Sequence, residues 1–172
     1  MKKQLGGFDV ALGTERIVAM SVQSGSRQIL MHGMVLVLVG LVWGFAIAAT
    51  PHPRLALGAH IQLVLNGMLF IVQATALLAL PHRVGIKSIR VMVVATWLTW
   101  AMAISEVANS WWGTSRTLPI AASQAGVSGG TPWQELVVTL AHMAAGLGLF
   151  IAWALLVVGF LRSATGTGKK NA

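Results

Sequence analysis

The chain contains no cysteine and no tyrosine, and only 9% of its 172 residues are charged. Without cysteine there can be no disulfide, thiolate metal site or CxxCH haem attachment. Without tyrosine no phenol can enter its chemistry. A soluble domain carries roughly 25% charged residues. The low charge, set against 56% hydrophobic residues, therefore marks a polytopic membrane protein. Acidic groups are scarcest, with four Asp and Glu against twelve Lys and Arg and a formal net charge of +8. In so apolar a chain this excess reads as basic loops against an anionic membrane face, not as nucleic-acid binding.

What is present is a set of apolar runs long enough to cross a bilayer, which takes about 20 residues as a helix. The expected fold is all-α, an integral membrane bundle of four transmembrane helices occupying 29–161. The spans run from Ile29 to Ala49, Leu57 to Leu80, Ile89 to Trp111 and Trp133 to Leu161. Thr50 to Arg54, with two prolines, ends the first span because proline breaks a helix. Residues 113–132 form the longest internal loop. Residues 1–28 lack the apolar core of a signal peptide and read as a flexible or interfacial N-terminal arm. Residues 162–172 form a disordered or interfacial C-terminal tail.

Four spans put ten of the twelve basic residues on one side. These are Lys2, Lys3, Arg16, Arg27, Arg83, Lys87, Arg90, Arg162, Lys169 and Lys170; only Arg54 and Arg116 face the other way. The positive-inside rule then places both termini in the cytoplasm. Trp111, Trp112 and Trp133 flank the outer loop like an interfacial aromatic belt.

The stretch 55–80 has no charge yet carries His60, Gln62, Asn66 and Gln73. Polar groups kept inside lipid usually face the protein interior and mark function. At 1.5 Å per residue, Asn66 lies roughly 9 Å deeper than His60. Ser105, Glu106 and Asn109 fall in the outer third of the third span, and His142 near mid-depth of the fourth. His60, Asn66, Glu106 and His142 are therefore expected to share one outer-half cavity. His32 is placed near the inner face, and His52 and His82 are read as solvated loop residues. Plainer readings stand beside these. The histidines and the Gln62–Asn66–Gln73 stripe could be interhelical hydrogen-bonding glue, and Glu106 could snorkel to the interface.

Zinc requires about four ligands and a di-iron site several glutamates; neither set is visible. Haem needs one axial histidine and an apolar pocket, which His60 could serve. A second histidine, His142, would close the iron for electron transfer.

The segment GAHIQLVLNGM, residues 58–68, resembles the second span of bacterial styrene oxide isomerases, with Ala-His followed by Leu-Asn-Gly-Met at the same spacing. MHGMVLVLVGLVWGF, from Met31, resembles that family's first span. The resemblance covers roughly residues 30–80 and is general beyond. It implies a four-helix membrane isomerase assembled as a homotrimer, with haem b between subunits. The histidine matching His60 would be the axial ligand, and the asparagine matching Asn66 would position substrate. The implied reaction opens a hydrophobic epoxide by Lewis-acid catalysis, and a 1,2-shift yields an aldehyde or ketone. The implied location is the bacterial inner membrane, with lipid and a small epoxide as partners. The chain departs from the family in lacking its third-span Tyr, which falls near Ala103, Ser105 or Val107, and in having no Asp after Asp9. Glu106 and Ser105 are the candidate polar pocket residues in their place. The alternatives are a non-enzymatic cytochrome ligated by His60 and His142, and a cofactor-free structural membrane subunit.

Overall fold

The computed structural model describes the backbone of residues 2–167 and the side chains of residues 16–163. The described residues form helices and no strand. Helix α1 covers Lys2–Ala46 and ends in a 3-10 turn, Ile47–Ala49; α2 covers Pro53–Ala79 and α3 Ile86–Trp112. A six-residue α4, Pro119–Gln124, precedes α5, Pro132–Thr167. Four of these helices contain segments long and apolar enough to span a membrane: Arg16–Ala49, Pro53–Ala79, Ile86–Trp112 and Pro132–Ser163.

Proline and glycine punctuate the chain as their chemistry requires. Pro53 and Pro132 open α2 and α5, where the first turn needs no N–H from them. Gly113 closes α3 in the left-handed region, at φ 67°, with its N–H on Asn109 O. The link between α1 and α2 is tied to the end of α3 by His52 N–H donating to Ser110 O at 3.1 Å. At the opposite end, Arg83 N–H donates to Gly159 O at 3.0 Å, joining the α2–α3 turn to α5.

The closest packing is between α1 and α2, and glycine makes it possible. A Cβ on Gly33 would lie 2.8 Å from Gly67 O, and one on Gly67 would lie 2.7 Å from Gly33 O. At Gly40 it would lie 2.8 Å from Val64 Cγ2. Small residues bring helix backbones together where lipid supplies no hydrophobic drive for association. Ile29, Leu36, Leu63, Phe70 and Met92 fill the core. The lateral surface stays apolar, as at Phe45 and Phe150, 92% and 73% exposed, which suits a lipid or subunit environment.

The first span begins earlier than Ile29. From residue 16 onward the expected arm is helical and continuous with the span, with Val22 and Ser26 buried. Its apolar residues are diluted by serine, glutamine and arginine, which hides the helix from a search for continuous apolar runs. Side chains at 1–12, 14 and 15 lie outside the described residues. Helix α5 also passes Leu161 and reaches Thr167, while 168–172 lie outside the described residues. The 113–132 loop contains α4, pinned to α2 by Arg54 Nε donating to Gln124 Oε1 at 2.7 Å.

Candidate active site

His60 sits on α2 against the glycine face of α1. Its Nδ1 lies 2.8 Å from Gly40 O. A carbonyl oxygen only accepts, so Nδ1 carries the proton and donates. The lone pair is thereby left on Nε2, which makes no hydrogen bond among the described residues. Gly44, one turn further along α1, leaves room for the ring: a Cβ there would meet His60 Cε1 at 3.2 Å. Fixing one ring nitrogen on a carbonyl is how proteins orient a metal-binding imidazole. The ring is half-buried, and Leu41, Phe45, Ile61 and Leu65 on the same two helices are exposed.

The other histidines are committed differently. His32 Nδ1 accepts from Trp100 Nε1 at 3.1 Å, and its ring packs edge-on against Trp97 at 4.7 Å. It therefore lies beside the middle of α3 rather than at the inner face, because α1 starts earlier than expected. His82 is a structural plug, not a solvated loop residue. Its Nε2 donates to Leu77 O at 3.0 Å, its Nδ1 accepts from Val84 N–H at 3.1 Å, and its ring meets Phe160.

A second polar group lies between α2, α3 and α5. His142 Nδ1 donates to Val138 O at 2.8 Å. Its Nε2 lies 3.1 Å from Gln62 Nε2 and 3.2 Å from Glu106 Oε1. A neutral ring accepts from Gln62; a protonated ring donates to Glu106. The imidazole gives the buried Glu106 side chain the partner that a low-dielectric interior requires of it. Glu106 is fully buried, so it does not snorkel. Its Oε2, Gln62 Oε1 and Asn109 Nδ2 have no hydrogen-bond partner among the described residues. Asn109 Oδ1 accepts from Thr114 N–H and Oγ1 at 2.8 and 2.7 Å, tying this interior to the 113–132 loop.

The expected cavity thus divides in two. Glu106 and His142 come together with Gln62, while His60 turns toward α1. Residues 60 and 62 are two apart, so on a helix of 3.6 residues per turn they project to nearly opposite sides. His60 and His142 do not form an axial pair within the chain. Asn66 is buried one turn below Gln62, and its Nδ2 donates to Gln62 O at 2.9 Å. Ser105 is also buried, but its hydroxyl donates to Met102 O at 2.7 Å on its own helix.

Sequence reasoning missed Glu135. It is buried in the first turn of α5 and accepts from the N–H groups of Ser115, Gly130 and Arg116 at 2.8, 3.1 and 3.0 Å. It ties the 113–132 loop to the start of α5. The available signal was an acidic residue just after Pro132, where a helix N-terminus favours negative charge. Gln73 was noticed as part of a stripe, but its full burial, with neither amide atom hydrogen-bonded among the described residues, was not foreseen.

Fold and site together define an all-helical integral membrane protein with an oriented histidine on one helix seam and a closed polar core beside it. The family follows from comparison with known proteins. The styrene oxide isomerase family model matches residues 25–161, and the chain belongs to this family. Hydroxylaminobenzene mutase HabA of Ectopseudomonas oleovorans is 30% identical over 132 residues, 76% of this chain and 94% of its own length. Hydroxylaminobenzene mutase HabB of the same organism is 31% identical over 141 residues, 81% of this chain and 82% of its own. No solved structure matches significantly. The protein is a membrane isomerase or mutase.

Proposed function

We propose that the protein isomerises a small hydrophobic epoxide of the styrene oxide type to a carbonyl compound, with haem b held by His60. The observation that carries this reading is the His60 ring, with Nδ1–H on Gly40 O and Nε2 available. Haem b bound there would supply a Lewis-acidic iron to the substrate oxygen. The residues do the rest. Gly40 O fixes the tautomer, Gly44 leaves room for the ring, and the apolar seam of α1 and α2 excludes water. Asn66, whose Oδ1 makes no hydrogen bond among the described residues, orients the substrate. In the reaction the benzylic C–O bond breaks heterolytically, hydride moves to that carbon, and the C=O forms. Electrons and atoms balance within one molecule, with no external oxidant or reductant.

The lipid-facing seam around His60 suits a subunit contact, consistent with the trimer that the family resemblance implies. The end bearing Arg27, Arg83 and Arg90 faces the cytoplasm of the bacterial inner membrane under the positive-inside rule.

A second reading has one specific support: both curated relatives are hydroxylaminobenzene mutases. In it the same site acts on an arylhydroxylamine, moving oxygen from nitrogen to the ring. Parallel assays of the purified protein with styrene oxide and with hydroxylaminobenzene separate the two. Carbonyl product from the epoxide alone supports the first reading; turnover of the hydroxylamine alone overturns it in favour of the second.

A further inference from the structure

At the basic end of the bundle, α1 and α3 run side by side and leave a groove of about 640 Å³. Its floor is the close contact of Gly25 with Ile89, where a Cβ on Gly25 would meet Ile89 Cγ1 at 2.5 Å. One wall is polar, with Ser24 and Gln28 from α1; the other is apolar, with Ile86, Val93 and Val94 from α3. Arg90 stands between them, exposed and one turn inside the helix. It has no ion-pair or hydrogen-bond partner among the described residues. Glu106 and Glu135, the acidic residues with described side chains, are not among the groove's lining residues, whereas Arg27 and Lys87 neighbour its lining residues Gln28 and Ile86 in sequence.

An arginine at headgroup depth beside an apolar channel has a defined complement. We infer that this groove binds an anionic glycerophospholipid, with the phosphate on Arg90 and an acyl chain along Ile86, Val93 and Val94. Charge complementarity selects the ligand: guanidinium pairs with phosphate in fork geometry, and basic pockets between helices on the cytoplasmic side bind anionic lipid headgroups. The serine and glutamine of α1 can donate to the remaining phosphate and glycerol oxygens. The apolar wall separates a lipid site from a site for a free anion.

The test is thermal stability and native mass spectrometry of the full-length detergent-purified protein, titrated separately with phosphatidylglycerol, phosphatidylcholine and inorganic phosphate. Phosphatidylglycerol is expected to raise the melting temperature and to persist as a bound adduct. Arg90→Gln is expected to weaken its binding about fivefold, following the roughly 1 kcal/mol that one basic residue contributes near an anionic surface. Arg90→Lys should retain most of it, and Arg116→Gln, at the other end, all of it. Val94→Trp fills the exposed apolar wall without altering charge and should also displace the lipid, which keeps the test decisive if Arg90→Gln folds poorly. Equal binding of phosphatidylcholine, equal stabilisation by inorganic phosphate, or lipid binding unchanged in both Arg90→Gln and Val94→Trp overturns the proposal. The readouts need neither cofactor nor substrate.

Discussion

Two faces of α2 show opposite designs. Toward α1, His60 spends one ring nitrogen on a main-chain carbonyl and keeps the other available. Toward α3 and α5, Gln62 meets His142 and Glu106 in a buried group that engages both nitrogens of the His142 ring. Each face meets an imidazole, His60 of α2 itself on one side and His142 of α5 on the other. They differ in what the second nitrogen meets. An imidazole oriented by a carbonyl and left open is prepared for a ligand from outside the chain. One whose two nitrogens are both engaged is prepared to hold helices together. Residue type alone does not separate these roles; the partner of each nitrogen does.

The largest effect expected from breaking this contrast is at His60. His60→Ala should abolish both haem retention and isomerase turnover, while His142→Ala should leave haem bound; absorbance per protein in the two purified variants measures this. Next comes the seam itself. Gly67→Val places side-chain atoms where a Cβ already lies 2.7 Å from Gly33 O, and overpacking of this kind costs about 1–3 kcal/mol. A lowered melting temperature with reduced haem content is expected; unchanged stability would show that α1 and α2 are not so closely packed. On the opposite face, Glu106→Leu leaves the His142 ring without its buried carboxylate partner, which costs about 1–3 kcal/mol. Glu106→Gln should recover part of that loss in thermal denaturation, since it preserves hydrogen-bonding capacity. Asn66→Ala should keep haem and lower turnover about tenfold, the effect of misplacing a bound substrate. The smallest effect belongs to Ser105→Ala. Its hydroxyl bonds only its own helix, so turnover should change by less than about twofold; a large fall would return Ser105 to the pocket.

The fold was legible because bilayer thickness dictates long apolar runs, and proline and glycine mark their ends. The four spans and their order follow from that alone. The N-terminal extension of α1 was not, because residues 16–28 mix Val18 and Val22 with polar neighbours, and a helical face is harder to see than a run. Depth arithmetic grouped His60 with Glu106 and His142 because it fixes height along a helix but not direction around it. Facing was available in the spacing: His60 and Gln62 differ by two residues, and one of them had to turn away from the bundle centre. Glu135 escaped notice because its partners are backbone N–H groups of a loop whose path no local pattern specifies.

The central claim is that His60 presents an available Nε2 to haem iron. The most direct measurement is the visible absorption spectrum of the detergent-purified protein, oxidised and then reduced, beside His60→Ala and His142→Ala. The account predicts a Soret band of five-coordinate or water-ligated ferric haem in the wild type, retained in His142→Ala and lost in His60→Ala. A full Soret band in His60→Ala, or none in well-folded wild-type protein supplied with haem, would contradict it.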